Sequence, residues 1–234
     1  MSKKSRRRRG QDREGFQQSP AALASPLRPN DQTPSSAIIN HLLLPPMPKH
    51  PLLIASLGNV GRAYQNSRHN AGHIFLSALV SHLSYPPFSR SVQHGLGQIS
   101  QGQDALLWQS PTLMNVSGPA VAVAWRRFKR DLDIESQGQA RLVIVHDELE
   151  SPLGKVKLKK GGSVKGHNGL KSCKQSLNGE DFWRLGIGIG RPVSRESDDV
   201  AAYVLSAMSG QDKEKLLSGI EEAVEELGKL SEGK

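Results

Sequence analysis

The stretch LLIASLGNVGRAYQNSRHNAGHIFLSAL, residues 52–79, predicts the fold because it joins a strand pattern to a helix pattern. Its first six residues are apolar or small and stop at Gly58, as in a strand buried inside a sheet. Apolar side chains then recur at helical spacing, at Ala71, Ile74, Phe75, Ala78 and Leu79. A strand that leads through a polar turn into a helix is typical of α/β proteins, whose active sites gather at the carboxyl ends of strands.

Strand and helix patterns continue to alternate along the chain. The further predicted strands cover residues 105–109, 142–145, 155–159 and 184–189. The further predicted helices cover residues 120–128, residues 168–177 and a single last helix that reaches Leu227. A Ser209-x-x-Asp212 capping box opens this last helix. We therefore predict one α/β domain with a twisted, mixed, mostly parallel sheet wrapped by helices.

The composition restricts the class of protein. A formal net charge of +9 and a pI of about 9.8 indicate an acidic partner, nucleic acid first of all. The sequence has no apolar run near the roughly 18 residues of a membrane span, so we expect no membrane contact. The single cysteine, Cys173, excludes an intramolecular disulfide, favours a reducing compartment and is spaced like a buried core residue.

The first 50 residues differ from the rest in charge and proline content. They carry nine basic and three acidic residues, hence +6 of the net +9, and seven prolines. Such a stretch cannot bury enough surface to offset its ordering entropy. We predict a disordered, basic, proline-rich N-terminal extension over residues 1–50 and a catalytic domain over residues 51–234. The extension resembles a mitochondrial transit peptide, although its block of arginines at 6–9 equally suits a nuclear signal or RNA contact, so we narrowly favour a mitochondrial over a cytoplasmic or nuclear location.

Four short runs place chemically capable residues after strand patterns or at the start of helix patterns. The runs are SLGNVGRAYQNSRHNAG (56–72), TLMNVSG (112–118), VIVHDELE (143–150) and KGHNGLKS (165–172). Because the carboxyl ends of parallel strands lie at one edge of a sheet, we expect these runs to meet there.

His69 is the candidate general base and Asp147 its partner. His69 precedes the helix pattern, and the positive end of a helix dipole disfavours a protonated imidazole there. A neutral imidazole can take a proton from water. Asp147 follows a predicted strand, where its carboxylate could accept from the other ring nitrogen and stabilise the imidazolium as it forms. The alternative is that His69 only caps its helix.

Three asparagines could hold a substrate beside this pair. Asn59 lies in the turn after the first strand, Asn115 follows Met114, and Asn168 opens a helix. Amides can donate, accept and polarise an ester carbonyl without titrating, and Met114 would provide a soft surface for varied substrates. Asparagine also suits turns and N-caps, and this alternative is strongest for Asn115.

A covalent nucleophile and a metal ion are both disfavoured. The sequence lacks a G-x-S-x-G elbow, and Ser67 lies too close to His69, so attack by water is the simpler mechanism. The candidate metal ligands are His69, His146, Asp147 and His167. They lack a paired ligand spacing, and His146 is expected on the strand face opposite Asp147, so we expect no metal and no cofactor.

Basic residues predict an RNA contact. Lys157 and Lys159 lie two residues apart in a strand pattern, so their side chains share one face, and Arg184 begins another strand. The basic residues at 126–130 can instead complement the dipole of the helix that they end.

In order and separation, the four runs resemble the bacterial-type peptidyl-tRNA hydrolases, over about residues 52–227. The resemblance implies a cofactor-free esterase that cuts the bond between a nascent peptide and its tRNA. It implies catalytic roles for His69, Asp147 and Asn59. It also implies peptide-binding roles for Tyr64, Met114, Asn115 and Asn168, and tRNA-binding roles for Lys157, Lys159 and Arg184. The implied partner is peptidyl-tRNA, through its acceptor end and its peptide, with neither a membrane nor an obligate protein partner.

The chain departs from the family pattern in places, and two other functions remain open. Val60 replaces the proline of G-N-P-G, Ser67 replaces the threonine of T-R-H-N, and residues 161–165 are less glycine-rich, but none of these changes removes a proposed catalytic group. One alternative is a non-catalytic RNA-binding homologue of the organellar intron-splicing type, which the retention of His69 and Asp147 disfavours. The other is a general esterase or peptidase, which the basic residues disfavour.

Overall fold

The computed structural model describes residues 49–103, 105–164 and 166–234, and its centre is one seven-stranded sheet. The strands are β1 (Leu52–Ser56), β2 (Ser89–Arg90), β3 (Gln98–Gln101), β4 (Ala105–Gln109), β5 (Arg141–Glu148), β6 (Val156–Lys160) and β7 (Trp183–Gly188). Their order across the sheet is β2-β3-β4-β1-β5-β7-β6. The predicted extension over residues 1–50 falls almost entirely outside the described residues, so its disorder stays a prediction.

The centre of the sheet is parallel and its edges are antiparallel. β1 pairs in parallel with both β4 and β5, and β5 pairs in parallel with β7. β2, β3 and β6 add antiparallel pairs at the two edges. The carboxyl ends of β1, β4, β5 and β7 therefore lie at one edge of the sheet, which confirms the predicted mixed α/β architecture.

Seven helices in the described part of the chain cover the two faces of the sheet. They are α1 (Ala71–His82), α2 (Ser117–Asp131), α3 (Ile134–Gln139), α4 (Asn168–Ser176), α5 (Ser197–Leu205), α6 (Gly210–Leu217) and α7 (Ile220–Glu232). Single 3₁₀ turns cover Arg62–Tyr64, Arg68–Asn70 and Met114–Val116. None of these helices combines the length and apolarity that crossing a membrane requires.

Two hydrophobic cores pack the helices against the two faces of the sheet, and successive residues of β1 belong alternately to one core and the other. Leu52 and Ile54 pack into the core formed with α1, α6 and α7, whereas Leu53 and Ala55 pack into the core formed with α2 and α4. Burial of each such leucine contributes about 1.5–3 kcal/mol. Cys173 is fully buried in the second core, as predicted, and burial raises the pKa of its thiol to about 12.

The prediction of a single last helix is wrong. The Ser209–Asp212 capping box does begin a helix, but the chain breaks after Leu217 and α7 starts at Ile220. A Cβ at Gly219 would lie 2.5 Å from the Gly154 carbonyl oxygen and from the Val156 side chain. At the break, the backbone at Gly219 therefore lies so close to that of Gly154 that only glycine fits there.

Candidate active site

The strand ends bring the four sequence runs together, as predicted. Asn59 follows β1, Asp147 is the penultimate residue of β5, and His69 lies in the 3₁₀ turn Arg68–Asn70 that precedes α1. Asn168 begins α4 and His167 is its N-cap residue.

His69 and Asp147 are in direct contact. The Nδ1 atom of His69 lies 2.9 Å from Asp147 Oδ2 and 3.0 Å from Oδ1. The Asp147 side chain is 2% exposed and that of His69 is 15% exposed. The predicted hydrogen bond is therefore present in a nearly dry environment.

A second histidine shares the same carboxylate. The Nε2 atom of His167 lies 2.9 Å from Asp147 Oδ1, and its Nδ1 accepts a hydrogen bond of 3.3 Å from the backbone N–H of Leu170. An accepting Nδ1 carries no hydrogen, so the donating nitrogen of His167 is Nε2. The sequence interpretation considered His167 only as a candidate metal ligand. Its place beside His69 depends on the fold, because 98 residues separate the two in the chain.

Asp147 is ionised in this setting. Burial alone would raise its pKa, but the interactions with His167 and His69 outweigh burial and hold the pKa well below its ordinary value. Burial and the neighbouring His167 lower the pKa of His146 to about 3, so His146 is neutral and its Nδ1 donates to the Asp147 backbone carbonyl at 2.7 Å.

The pKa of His69 is raised, which corrects one sequence expectation. The helix N-terminus was expected to hold the imidazole neutral. Burial does disfavour the charged form, but the charge of Asp147 and its hydrogen bond outweigh burial and raise the pKa of His69 above its ordinary value. Because the ionised carboxylate can only accept, Nδ1 of neutral His69 carries the hydrogen and Nε2 keeps a lone pair.

The amide of Asn59 is oriented by its neighbours. Its Oδ1 accepts from the backbone N–H of Met114 at 2.8 Å. The Asn70 side chain forms two hydrogen bonds with the backbone of Asn59. Asn70 Oδ1 accepts from Asn59 N–H at 2.7 Å, and Asn70 Nδ2 donates to Asn59 O at 2.9 Å. The group that Asn59 can offer a substrate is therefore its Nδ2 donor. Sequence reasoning did not assign Asn70, because nothing local distinguishes it from an ordinary helix cap.

A cavity of about 280 Å³ collects most of the predicted peptide-binding residues. Its walls include His69 together with Asn59, Met114, Asn115 and Asn168, and three apolar residues of α5 close it, Ala201, Val204 and Leu205. The sequence analysis did not predict α5. Tyr203 of this helix donates to the Ile189 carbonyl at 2.7 Å and stacks under Arg68, with the guanidinium carbon 4.8 Å from the ring centroid.

A larger cavity of about 380 Å³ adjoins the first and shares His69, Asn168, Ala201 and Val204 with its lining. Asp147 and His167 line it, together with three arginines, Arg184, Arg191 and Arg195. Arg184 donates to the Ser163 carbonyl at 2.6 Å, and Arg191 forms an ion pair with Glu150. The lining of this cavity therefore carries three arginines together with three carboxylates, those of Asp147, Glu148 and Glu150.

Three predicted tRNA-binding residues share one face of the sheet edge. Lys159 lies opposite Arg184, and Lys157 lies opposite Gly186, across the β6–β7 pair. Directly paired residues project their side chains to the same side, so Lys157, Lys159 and Arg184 form one strip. Both lysines are exposed, and Arg184 is the member that also reaches the larger cavity. Tyr64 lies in the turn Arg62–Tyr64 and lines neither cavity, so the structure does not place it beside the other predicted peptide-binding residues.

One group of side chains in the described part of the chain could hold a metal ion. One atom each from His69, Asp147 and His167 lie within 4.8 Å of one another. The sequence interpretation considered these three residues, together with His146, as candidate ligands, but no paired spacing indicated that they would meet, because they are far apart in the chain.

The chain matches one known protein family over most of its length. The family model for peptidyl-tRNA hydrolase matches residues 53–234. The chain belongs to this family. The peptidyl-tRNA hydrolase of Geotalea daltonii is 42% identical over 182 residues, which cover 76% of this chain and 90% of that protein. The peptidyl-tRNA hydrolase of Bartonella bacilliformis is 40% identical over 166 residues, which cover 70% and 81%.

A solved structure of the family has the same fold. The crystal structure of peptidyl-tRNA hydrolase from Acinetobacter baumannii superposes with a TM-score of 0.64 at 30% sequence identity. The superposition covers 81% of this chain and 92% of that one.

Proposed function

We propose that this protein is an esterase that hydrolyses the bond between the peptide and the tRNA of peptidyl-tRNA. Membership of the peptidyl-tRNA hydrolase family supports the substrate. The observation that carries the mechanism is the buried, ionised Asp147 on Nδ1 of His69, which leaves the Nε2 lone pair as a base.

The first step is attack by water. His69 Nε2 takes a proton from a water molecule as the water oxygen adds to the ester carbonyl carbon. Asp147 stabilises the imidazolium that forms, as the aspartate does in hydrolase triads. A positioned general base of this kind contributes about 10²–10⁴-fold to the rate.

The second step expels the tRNA. The tetrahedral intermediate carries a negative charge on the former carbonyl oxygen, and Asn59 Nδ2 is the donor oriented to bind it. The intermediate collapses, the C–O bond to the ribose breaks, and His69 returns its proton to the departing ribose oxygen. The products are a free peptide and a tRNA, and His69 is neutral again.

The two cavities suggest how the substrate lies. We assign the peptide to the 280 Å³ cavity, whose amides and apolar α5 residues suit a peptide of variable sequence. We assign the tRNA acceptor end to the side with Arg184, Lys157 and Lys159, whose charges suit phosphates.

A hydrolysis assay tests this function. Purified protein is mixed with a tRNA that carries an N-acetylated amino acid, and deacylation is followed over time. Catalytic release supports the proposal. Tight binding without release would favour the non-catalytic RNA-binding alternative, whereas cleavage of a small peptide ester as fast as the tRNA ester would favour the general esterase.

A further inference from the structure

His167 shares the Asp147 carboxylate with His69, although the proposed hydrolysis assigns no step to His167. The residues come from three separate elements: the 3₁₀ turn before α1, strand β5 and the N-cap of α4. The nitrogen-to-oxygen distances are 2.9 and 3.0 Å from His69 and 2.9 Å from His167. The two imidazole rings stand 5.3 Å apart between centroids and are tilted by 44°.

Two imidazoles and a carboxylate make a donor set that suits zinc. Catalytic zinc sites commonly use three such protein ligands and leave a fourth position open. With metal–ligand distances near 2.0 Å, the atoms of a tetrahedral site lie roughly 3.3 Å apart. The donor atoms of this group already lie within 4.8 Å of one another, so a cation fits after shifts of about 1 Å or less.

We infer that His69, Asp147 and His167 form a binding site for a borderline divalent cation, Zn²⁺ first of all, and that its occupation inhibits the enzyme. The site opens into the 380 Å³ cavity, which provides a path for the ion and room for a water ligand in the fourth position. Asp147 supplies a buried negative charge, so an arriving cation gains a strong partner without having to ionise it.

Inhibition follows from the nitrogen that the metal would occupy on His69. Coordination at Nδ1 moves the ring hydrogen to Nε2, because a neutral imidazole carries only one. Nε2 then has no lone pair that could accept the proton of water. Asp147, as a metal ligand, no longer stabilises the imidazolium of His69. No bond of the substrate is made or broken in this binding step.

The surrounding charges and one hydrogen bond limit the affinity. Coordination by His167 Nε2 places a hydrogen on Nδ1 and gives up the 3.3 Å bond from Leu170 N–H. The other charged or titratable groups around the cavity are His146, Arg184, Arg191, Arg195, Glu148 and Glu150. Arg191 and Glu150 pair with each other, so Arg184 and Arg195 oppose the cation and Glu148 favours it.

Binding can be measured without reference to catalysis. The full chain, purified free of metal and of a histidine tag, competes for Zn²⁺ with a chromophoric chelator. We expect one tight equivalent in the wild type. In His167→Asn the affinity should fall by more than about 100-fold, the upper end for losing an outer-shell partner, since here a ligand itself is lost. Asparagine keeps an N-cap acceptor, so α4 should stay folded.

A matched control and an activity measurement complete the test. His82→Gln changes an exposed histidine at the end of α1 and should bind Zn²⁺ like the wild type. Zn²⁺ should inhibit peptidyl-tRNA hydrolysis over the same concentration range in which it binds, and EDTA should restore activity. Equal zinc affinity in the wild type and His167→Asn would overturn the site, as would an active enzyme that binds no zinc.

The inhibitory part rests on the proposed function, whereas the binding part does not. A protein that binds one zinc but never hydrolyses peptidyl-tRNA would refute the function and leave the site intact. A protein that hydrolyses peptidyl-tRNA but neither binds zinc nor is inhibited by it would refute only the site.

Discussion

The change of Asp147 to asparagine tests the electrostatics of the site because it keeps the shape of the side chain and removes its charge. In the wild type, Asp147 Oδ1 accepts from both His69 and His167, and Oδ2 accepts a second time from His69 Nδ1 at 2.9 Å. If the amide oxygen takes the Oδ1 position, the NH₂ group takes that of Oδ2. This group cannot accept from His69, and it would face the Nδ1 hydrogen at hydrogen-bond distance.

The clash is relieved if His69 changes tautomer. Nδ1 then accepts from the new amide, and the hydrogen moves to Nε2, where it removes the base. Loss of a general base costs about 10²–10⁴-fold, and the equivalent change in serine-protease triads lies at the upper end of this range. The barrier should therefore rise by about 2.7–5.4 kcal/mol.

The pH profile adds an independent signature. A base works when it is deprotonated, so the activity of the wild type should fall as the pH drops through the pKa of His69, which is raised above 6.5 by Asp147. In Asp147→Asn the raising interactions are gone and burial remains, so the pKa of His69 should fall and the acid limb should move to lower pH than in the wild type.

The assay is single-turnover hydrolysis of N-acetylaminoacyl-tRNA between pH 5 and 9, with a thermal melt to verify folding. The matched control is Asp131→Asn, which removes a carboxylate that pairs with Arg127 away from the site and should leave the rate unchanged. An Asp147→Asn protein that is folded, active at the wild-type rate and unchanged in its acid limb would refute the role given to this carboxylate.

Four further predictions concern the oxyanion, the tRNA and the extension, the last of which has two. Asn59→Asp keeps the oxygen that accepts from Met114 N–H but removes the Nδ2 donor, so the chemical step should slow by about 10²–10³-fold in a rapid-quench assay; an unchanged step would exclude this donor. Replacing Lys157 and Lys159 by alanine should flatten the plot of log affinity for tRNA against log salt by roughly 0.7–0.9 per phosphate contact, and an unchanged slope would make them ordinary surface lysines. A chain that starts at Pro48 should keep its melting temperature and activity, since the cores begin at Leu52. Residues 1–50 fused to a fluorescent protein should reach mitochondria, and diffuse fluorescence would contradict targeting.

Local patterns were sufficient to predict five of the seven described strands, but not β2 and β3. β1, β4, β5 and β7 are short apolar runs, and such runs are stable only when both faces are covered. α5 was not predicted because none of its residues is buried, so it lacks the buried apolar stripe that marks the predicted helices. A tyrosine hydrogen bond and an arginine–ring contact hold it, and Tyr203 and Val204 pack against the first core while only partly buried. The break at Gly219 depends on a contact with Gly154, 65 residues away.

The candidate site likewise contains residues that the sequence identified and residues that it did not. His69, Asp147 and the asparagines could be found because they lie near the ends of strand patterns or the starts of helix patterns, and parallel strands bring their carboxyl ends together. His167 and Asn70 act through partners that are distant in sequence, so no spacing rule identifies them. The direction of the His69 pKa shift also required the structure, since it is set by the balance between burial and the Asp147 carboxylate.

The most direct test of the account is the single-turnover rate of His69→Ala on peptidyl-tRNA, measured beside its affinity for tRNA. Removal of the imidazole takes away the proposed base but leaves the basic strip of Lys157, Lys159 and Arg184. The account predicts a rate that falls by about 10²–10⁴-fold with tRNA affinity and folding preserved. A folded His69→Ala protein that hydrolyses peptidyl-tRNA within about twofold of the wild-type rate would contradict the mechanism, because it would lack the base on which the mechanism depends.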